Sequence, residues 1–165
     1  MIESFDGSEE TWAALHAALE NDPQAVAAQA SAALSSPDPD ERFPAVYALG
    51  LIVDETTVGL LRPALDDPEP ALRAIAAGSL IGLGEAASVP VLIEATASDE
   101  VLPFSHPPRL LWMFADDALR SYTGVDFGLD LASQDVQRAT ADAWQAWWAA
   151  NGASLTWDGS MWVSP

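Results

Sequence analysis

The stretch DPEPALRAIAAGSLIGLG, residues 67–84, repeats the pattern of the earlier stretch PDPDERFPAVYALGLIV, residues 37–53. A shift of 31 residues superposes the two stretches and the segments that follow them. The residue pairs identical under this shift are Pro37/Pro68, Pro39/Pro70, Arg42/Arg73, Ala45/Ala76, Leu49/Leu80, Val58/Val89, Leu61/Leu92 and Ala64/Ala95. A fixed period between about 20 and about 50 residues indicates stacked units, none of which buries its apolar face alone.

Each unit has the pattern of two antiparallel helices. Pro39 and Pro70 stand where a first helical turn tolerates a missing N–H, and the acidic residue before each suits the positive end of the helix dipole. Apolar residues then recur three and four positions apart, which places them on one helix face. Gly84 is predicted to end the first helix of its unit.

The period and the R-x-x-A-x-x-x-L pattern that follows each Asp-Pro pair make residues 36–97 resemble HEAT repeats, in the short bacterial form found in phycobilisome-lyase-like proteins. The resemblance implies a right-handed stack of helical hairpins whose second helices line a concave surface that usually binds protein. The fold class expected is therefore all-α, a right-handed alpha-alpha superhelix (HEAT-like solenoid) of about four hairpins with a small C-terminal β-hairpin.

We expect one domain over residues 1–165, with repeat units at about 8–35, 36–66, 67–97 and 107–150 and a C-terminal cap at 151–165. The first unit is a weaker copy, with helices near residues 9–20 and 23–35. The last unit follows a break in the register, and its helices are expected near 107–122 and 133–149.

The C-terminal part carries six of the seven tryptophans, all after residue 111. Its T-G-x-x-F-G turn followed by a helix with W-x-x-W-W makes residues 119–158 resemble the closing segment of many bacterial HEAT-repeat proteins. Asp158-Gly159 predicts a two-residue hairpin turn flanked by Trp157 and Trp162, both packed on the last helix. The rings either cap the open end of the stack or stay exposed as anchors for a partner.

The charge is strongly acidic, with 25 acidic residues against six arginines and no lysine, and a formal net charge of −19. Nucleic-acid binding depends on Lys and Arg that displace counterions, so this composition excludes it as the leading function. A basic partner would be attracted. Two other interpretations stay open: a solvated surface that serves solubility, and a mimic of nucleic acid.

The sequence contains no recognisable catalytic set. His16 and His106 are the only histidines and cysteine is absent, so no thiolate site and no common zinc spacing exists. Ser105 precedes His106, but a nucleophile and base pair also needs a group that orients the ring. The acidic pairs lack the alternation of a calcium loop, and no phosphate-binding glycine motif occurs. We expect no enzyme activity, no cofactor and no metal.

Four charged residues are singled out on position alone. Arg42 and Arg73 are equivalent under the shift and are expected to bridge to acids of adjoining units, with a ligand contact as the alternative. Arg62 and Glu94 fall on second helices and are the predicted protein-contact residues.

The leading prediction is a non-catalytic protein-protein interaction module that presents a rigid acidic surface to a basic protein partner. The first alternative is an immunity or inhibitor protein that covers a basic nuclease or toxin. The second is a HEAT-like lyase-type enzyme or its accessory subunit, which fold alone does not exclude. The acidic N-terminus has no apolar run behind it, and the longest uncharged stretch is shorter than a membrane span, so we expect a cytoplasmic protein without a membrane partner.

Overall fold

The computed structural model describes residues 5–52, 54–105, 107–127 and 133–164. Within these ranges the chain forms eight α-helices, one 3-10 helix and one short antiparallel hairpin. The α-helices are α1 (Glu9–Asn21), α2 (Pro23–Ala33), α3 (Pro39–Leu51), α4 (Glu55–Leu61), α5 (Pro70–Ile81), α6 (Ser88–Ala95), α7 (Leu111–Thr123) and α8 (Gln134–Asn151). The 3-10 helix is Arg62–Asp66, and the strands are β1 (Thr156–Trp157) and β2 (Trp162–Val163). The fold is an α-helical solenoid with a small C-terminal hairpin.

The helix boundaries follow local chemistry. Polar side chains at the N-caps accept backbone N–H groups of the first turn, as the Asp54 carboxylate does from Thr56 and Thr57 at 2.8 and 2.9 Å. The hydrogen bond from the Thr56 hydroxyl, at 2.6 Å, and those from the backbone N–H groups lower the pKa of Asp54. At the other end, α5 ends at Ile81 with Gly82 as its C-cap, two residues before the predicted Gly84. Gly84 lies in the turn that follows, where its φ of +77° suits glycine and the N–H of Glu85 donates to the carbonyl of Leu80 at 3.2 Å.

The packing has the translational order of a repeat stack. The first helices α3, α5 and α7 lie side by side, α5 packs against α6, and α6 contacts α8. One continuous apolar core runs through these contacts, from Leu15 and Val26 in the first hairpin to Trp144 in α8. Each hairpin therefore buries its apolar face against the next hairpin, which is the arrangement that the 31-residue period predicts.

The start of α7 differs from the sequence prediction, which began this helix at residue 107. Pro107 and Pro108 lie outside the helix, which starts at Leu111. The preceding chain is held instead by an isolated bridge between Val101 and Leu110. The N–H of Leu102 donates to the carbonyl of Arg109 at 2.7 Å. Because this carbonyl is already hydrogen-bonded within the bridge, it does not take part in a helix.

The C-terminal hairpin is present, but its turn is longer than predicted. Trp157 pairs directly with Trp162, which leaves a four-residue loop, Asp158–Met161. The Asp158 carboxylate accepts the N–H groups of Ser160 and Met161, each at 2.8 Å, and so closes the longer loop.

The contacts established for Trp157 and Trp162 are with α5, α7 and the turn after α5, and their packing on the last helix stays a prediction. The indole N–H of Trp162 donates to the carbonyl of Ile81 at the end of α5, at 3.2 Å. The Trp157 ring contacts Gly84 and lies near Tyr122 of α7. The hairpin therefore covers the end of α5 and the side of α7.

Candidate protein-interaction surface

One hydrogen-bonding pattern recurs in three turns. They are the turn that opens the second unit and the two turns at the start and end of the third unit. Ser36, Asp67 and Ser98 each accept the backbone N–H two residues later, at 3.1, 2.9 and 3.3 Å. These positions are 31 residues apart, so the pattern follows the repeat. Side chains of this kind stabilise a turn in place of a backbone hydrogen bond.

Arg42 ties two of these turns together. Its Nη1 donates to the carbonyl of Ser36 at 2.9 Å, while Nε and Nη2 donate to the Asp67 carboxylate at 2.8 and 2.9 Å. Only 9% of the Arg42 side chain and 11% of the Asp67 side chain are exposed. The predicted bridge to the adjoining unit is confirmed at Arg42, in the bidentate geometry for which Arg is suited.

Arg73 repeats only part of this arrangement. Its Nη1 donates to the carbonyl of Asp67 at 2.8 Å, as Arg42 does to Ser36. The position equivalent to Asp67 is Ser98, which has no carboxylate, and Arg73 donates instead to Glu94 of the same unit at 3.0 Å. The predicted bridge to an adjoining unit is therefore wrong for Arg73.

Arg62 and Glu94, the predicted contact residues, lie at the surface in separate ion pairs. Arg62 begins the 3-10 helix, has 60% of its side chain exposed, and donates from Nε to Glu85 at 2.8 Å. Glu94 lies on α6 with 71% of its side chain exposed and accepts from Arg73. Their role in binding remains a prediction, because these contacts describe the chain without a partner.

Two open grooves lie beside the C-terminal end of α6, and the first of them includes Glu94. The first, of about 210 Å³, lies between α5 and α6 and includes Arg73 and Glu94. The second, of about 420 Å³, lies between the end of α6 and α8, and Ala97 lines both. We call the second the α6–α8 groove; its polar lining consists of Asp99, Gln134, Gln137, Arg138, Asp142 and Gln145.

None of the residues predicted from the sequence as contact, catalytic or metal-binding residues is one of the groove residues on α8. The groove residues recur at spacings of three and four, so the helical period of the sequence could have predicted that they share one polar face of α8. Glutamine side chains both donate and accept hydrogen bonds, which suits contact with a peptide backbone. The groove therefore combines adaptable polar groups with the carboxylates of Asp99 and Asp142.

Every arginine of the chain is engaged by a carboxylate. Besides the pairs above, Arg109 pairs with Asp117, Arg120 with Asp116 and Asp126, and Arg138 with Asp135. Each of the six arginines therefore has a carboxylate within 3.6 Å, although the side chains of Arg62 and Arg138 remain 60% and 72% exposed, and the chain as a whole carries a net charge of −19.

The aromatic C-terminal part is largely buried. Trp144 is fully buried, and its indole N–H donates to Asp116 of α7 at 2.7 Å. Trp112 and Trp162 are 4% and 5% exposed, whereas Trp147 and Trp148 are half-buried. These contacts favour the interpretation of the tryptophans as a cap over the end of the stack.

The residues considered for catalysis are not assembled into a site in the part of the chain that is described. His16 is exposed on α1, with the Trp12 ring as its aromatic neighbour, and His106 lies outside the described residues. The Ser105 hydroxyl donates to the carbonyl of Leu102 at 2.6 Å. Within the described ranges, no group of three or more His, Asp or Glu side chains could hold a metal ion.

The fold and this surface define a class, that of helical repeat proteins built from stacked hairpins. A family model described as HEAT repeats matches residues 27–103, which include the two units superposed by the 31-residue shift. The match supports a HEAT-repeat protein. It ends before residues 119–158, whose resemblance to the closing segment of such proteins stays a prediction. No curated protein and no solved structure matches the chain.

Among the helices of the described ranges, none has the length and apolar character needed to cross a bilayer.

Proposed function

We propose that this chain is a non-catalytic interaction module that binds a basic protein through the acidic surface on its second helices. HEAT repeats generally mediate protein-protein interaction, which supports the class of function. The observation that carries the basic character of the partner is the engagement of all six arginines within the chain. A net charge of −19 without an unpaired arginine attracts a cationic surface and accelerates its encounter.

The contact region that we propose runs from Arg62 through Glu94 to the α6–α8 groove. Its backbone is held by packed helices and by the buried Arg42–Asp67 pair, so little conformational entropy is lost when a partner docks. Because Arg62 and Glu94 are exposed and singly paired, a partner can contact them without unfolding the stack.

The test is affinity capture on the immobilised chain, at about 0.1 M and about 1 M salt, between which the Debye length falls from about 10 Å to about 3 Å. We expect captured proteins to be basic and to be released at high salt. E94Q is expected to weaken capture, and D117N is the matched control. Asp117 is likewise an exposed acid paired with one arginine, but it lies on the first helix α7.

Equal capture by E94Q and D117N would contradict the assignment of the contact region. Capture of acidic or neutral proteins alone, unaffected by salt, would contradict the proposed function.

A further inference from the structure

A further pocket lies where the start of α1 meets the loop that precedes α7. It is open, has a volume of about 590 Å³, and is lined by Ser8, Glu9, Trp12 and Phe104. Two half-buried aromatic rings and one exposed carboxylate therefore face the same space. None of the contacts described for the proposed function involves these residues.

The aromatic walls are held by a network of ring contacts. The Phe5 ring packs edge-to-face on Trp12 at 4.8 Å and on Phe104 at 5.2 Å between centroids. Trp12 also packs edge-to-face on Tyr47, at 5.2 Å. Phe104 has a φ of +59°, which is uncommon for a non-glycine residue. The two rings are thus placed by the fold and are not loose surface side chains.

The segment that supplies three of the four lining residues is acidic. Residues 1–41 include nine acidic side chains and no Lys or Arg. Hydrogen bonds from Ser8 and Thr11 lower the pKa of Asp6 to about 2, so this carboxylate stays ionised beside the pocket wall. Within the described residues, the partners of the six arginines do not include Glu9.

Aromatic faces and a nearby carboxylate together suit a planar organic cation. A guanidinium stacks on aromatic rings through its planar face and donates hydrogen bonds to a carboxylate from its edge. A neutral apolar group would use the rings but not Glu9, and an anion would be repelled by it.

We propose that this pocket binds an arginine side chain of the basic partner, with Trp12 and Phe104 contacting the guanidinium and Glu9 balancing its charge. The proposal rests on the proposed function for the basic nature of the partner. It adds a second contact point, at the N-terminal end of the stack.

The test is a titration of the full-length, ¹⁵N-labelled chain with a capped peptide that contains one arginine, followed by NMR. The control peptide carries citrulline, which has nearly the same shape without the charge. We expect the arginine peptide to shift the Trp12 indole N–H and the Ser8 and Glu9 amides. The citrulline peptide is expected to bind at least about fivefold more weakly.

Two variants make the test specific. E9Q is expected to weaken arginine-peptide binding about fivefold, whereas E20Q, the same change at another exposed position of α1, leaves it unchanged. W12F keeps an aromatic ring with a weaker face and is expected to cost about threefold, with its thermal unfolding measured to confirm that it folds.

The proposal is overturned if E20Q weakens binding as much as E9Q, if citrulline binds equally well, or if about 10 mM peptide leaves the spectrum unchanged. None of these outcomes contradicts the proposed function, which is tested separately by the salt-sensitive capture of a basic protein.

Discussion

At the scale of single residues, Arg42 and Asp67 form a nearly buried ion pair across the junction between the second and third units, beside the apolar packing of α3 on α5. The pair is bidentate, nearly buried, and tied to the turn at Ser36. The sequence pointed to Arg42 because the repeat duplicates it as Arg73. The repeat does not predict the pairing of Arg73 with Glu94. That pairing forms because Ser98, the position equivalent to Asp67, has no carboxylate.

Replacing Asp67 by Asn is expected to lower the free energy of unfolding by about 3 kcal/mol, because it leaves the buried Arg42 guanidinium without its counter-charge. Urea unfolding followed by circular dichroism measures this loss. E85Q is the control, since it breaks the Arg62–Glu85 pair, whose arginine is 60% exposed, and is expected to cost less than about 1 kcal/mol. Equal losses in the two variants would show that burial does not decide the strength of the junction.

Asp116 predicts a pH dependence of stability. Burial raises the pKa of this carboxyl, against the lowering effects of its hydrogen bond from Trp144 and the charge of Arg120. The folded chain therefore binds this proton more tightly than the unfolded chain. The stability contributed by protonation is present below the ordinary pKa of 3.8 and is lost as the pH rises through the raised value.

Asp116→Asn removes this titration and keeps an oxygen that accepts from Trp144. The variant is thus expected to gain stability relative to the wild-type chain as the pH rises from acid to neutral. The difference between the two unfolding free energies, measured across this range, checks the sign. A difference that shrinks toward neutral pH would contradict the raised pKa.

At the scale of helices and strands, the sequence predicted those elements whose boundaries are local. Caps and helix-starting prolines defined the starts of α2, α3 and α5 because their effect reaches only one turn of helix. The start of α7 was missed because it depends on the Val101–Leu110 bridge, which pairs residues that no helical period connects. The hairpin turn was missed because the Asp158 side chain stabilises a four-residue loop.

The contact between α5 and α7 depends on a glycine. A Cβ added at Gly78 would lie 2.6 Å from Cζ of Phe114, so the ring packs against bare backbone. Gly78→Ala is expected to lower the free energy of unfolding by about 1–2 kcal/mol, although alanine favours a helix. Gly59→Ala in α4 is the control, since it meets nothing within 4 Å, and is expected to stabilise the chain by about 0.5–1 kcal/mol. Chemical denaturation of both variants measures whether the free energy of unfolding falls for Gly78→Ala and rises for Gly59→Ala.

At the scale of the whole molecule, the 31-residue period predicted the stack, whereas the grooves required coordinates. A period specifies which faces pack on each other, because each unit buries the same positions. It does not specify where adjoining helices leave space, since the α6–α8 groove lies where the register has already failed. The pocket at Trp12 and Phe104 joins residues from α1 and from the bridged loop, a juxtaposition that no local pattern encodes.

Electrostatic attraction is the proposed source of partner binding. All six arginines have carboxylate partners within the chain, and the net charge of −19 remains to attract a cationic partner. The attraction is expected to weaken once salt shortens its range.

The most direct test is the dissociation constant for the captured partner, measured by calorimetry with purified proteins at about 0.1 M and about 1 M salt. We expect a basic partner and at least about a tenfold loss of affinity at the higher salt concentration. An affinity that is the same at both concentrations would contradict the claim that the acidic surface of this helical stack binds the partner.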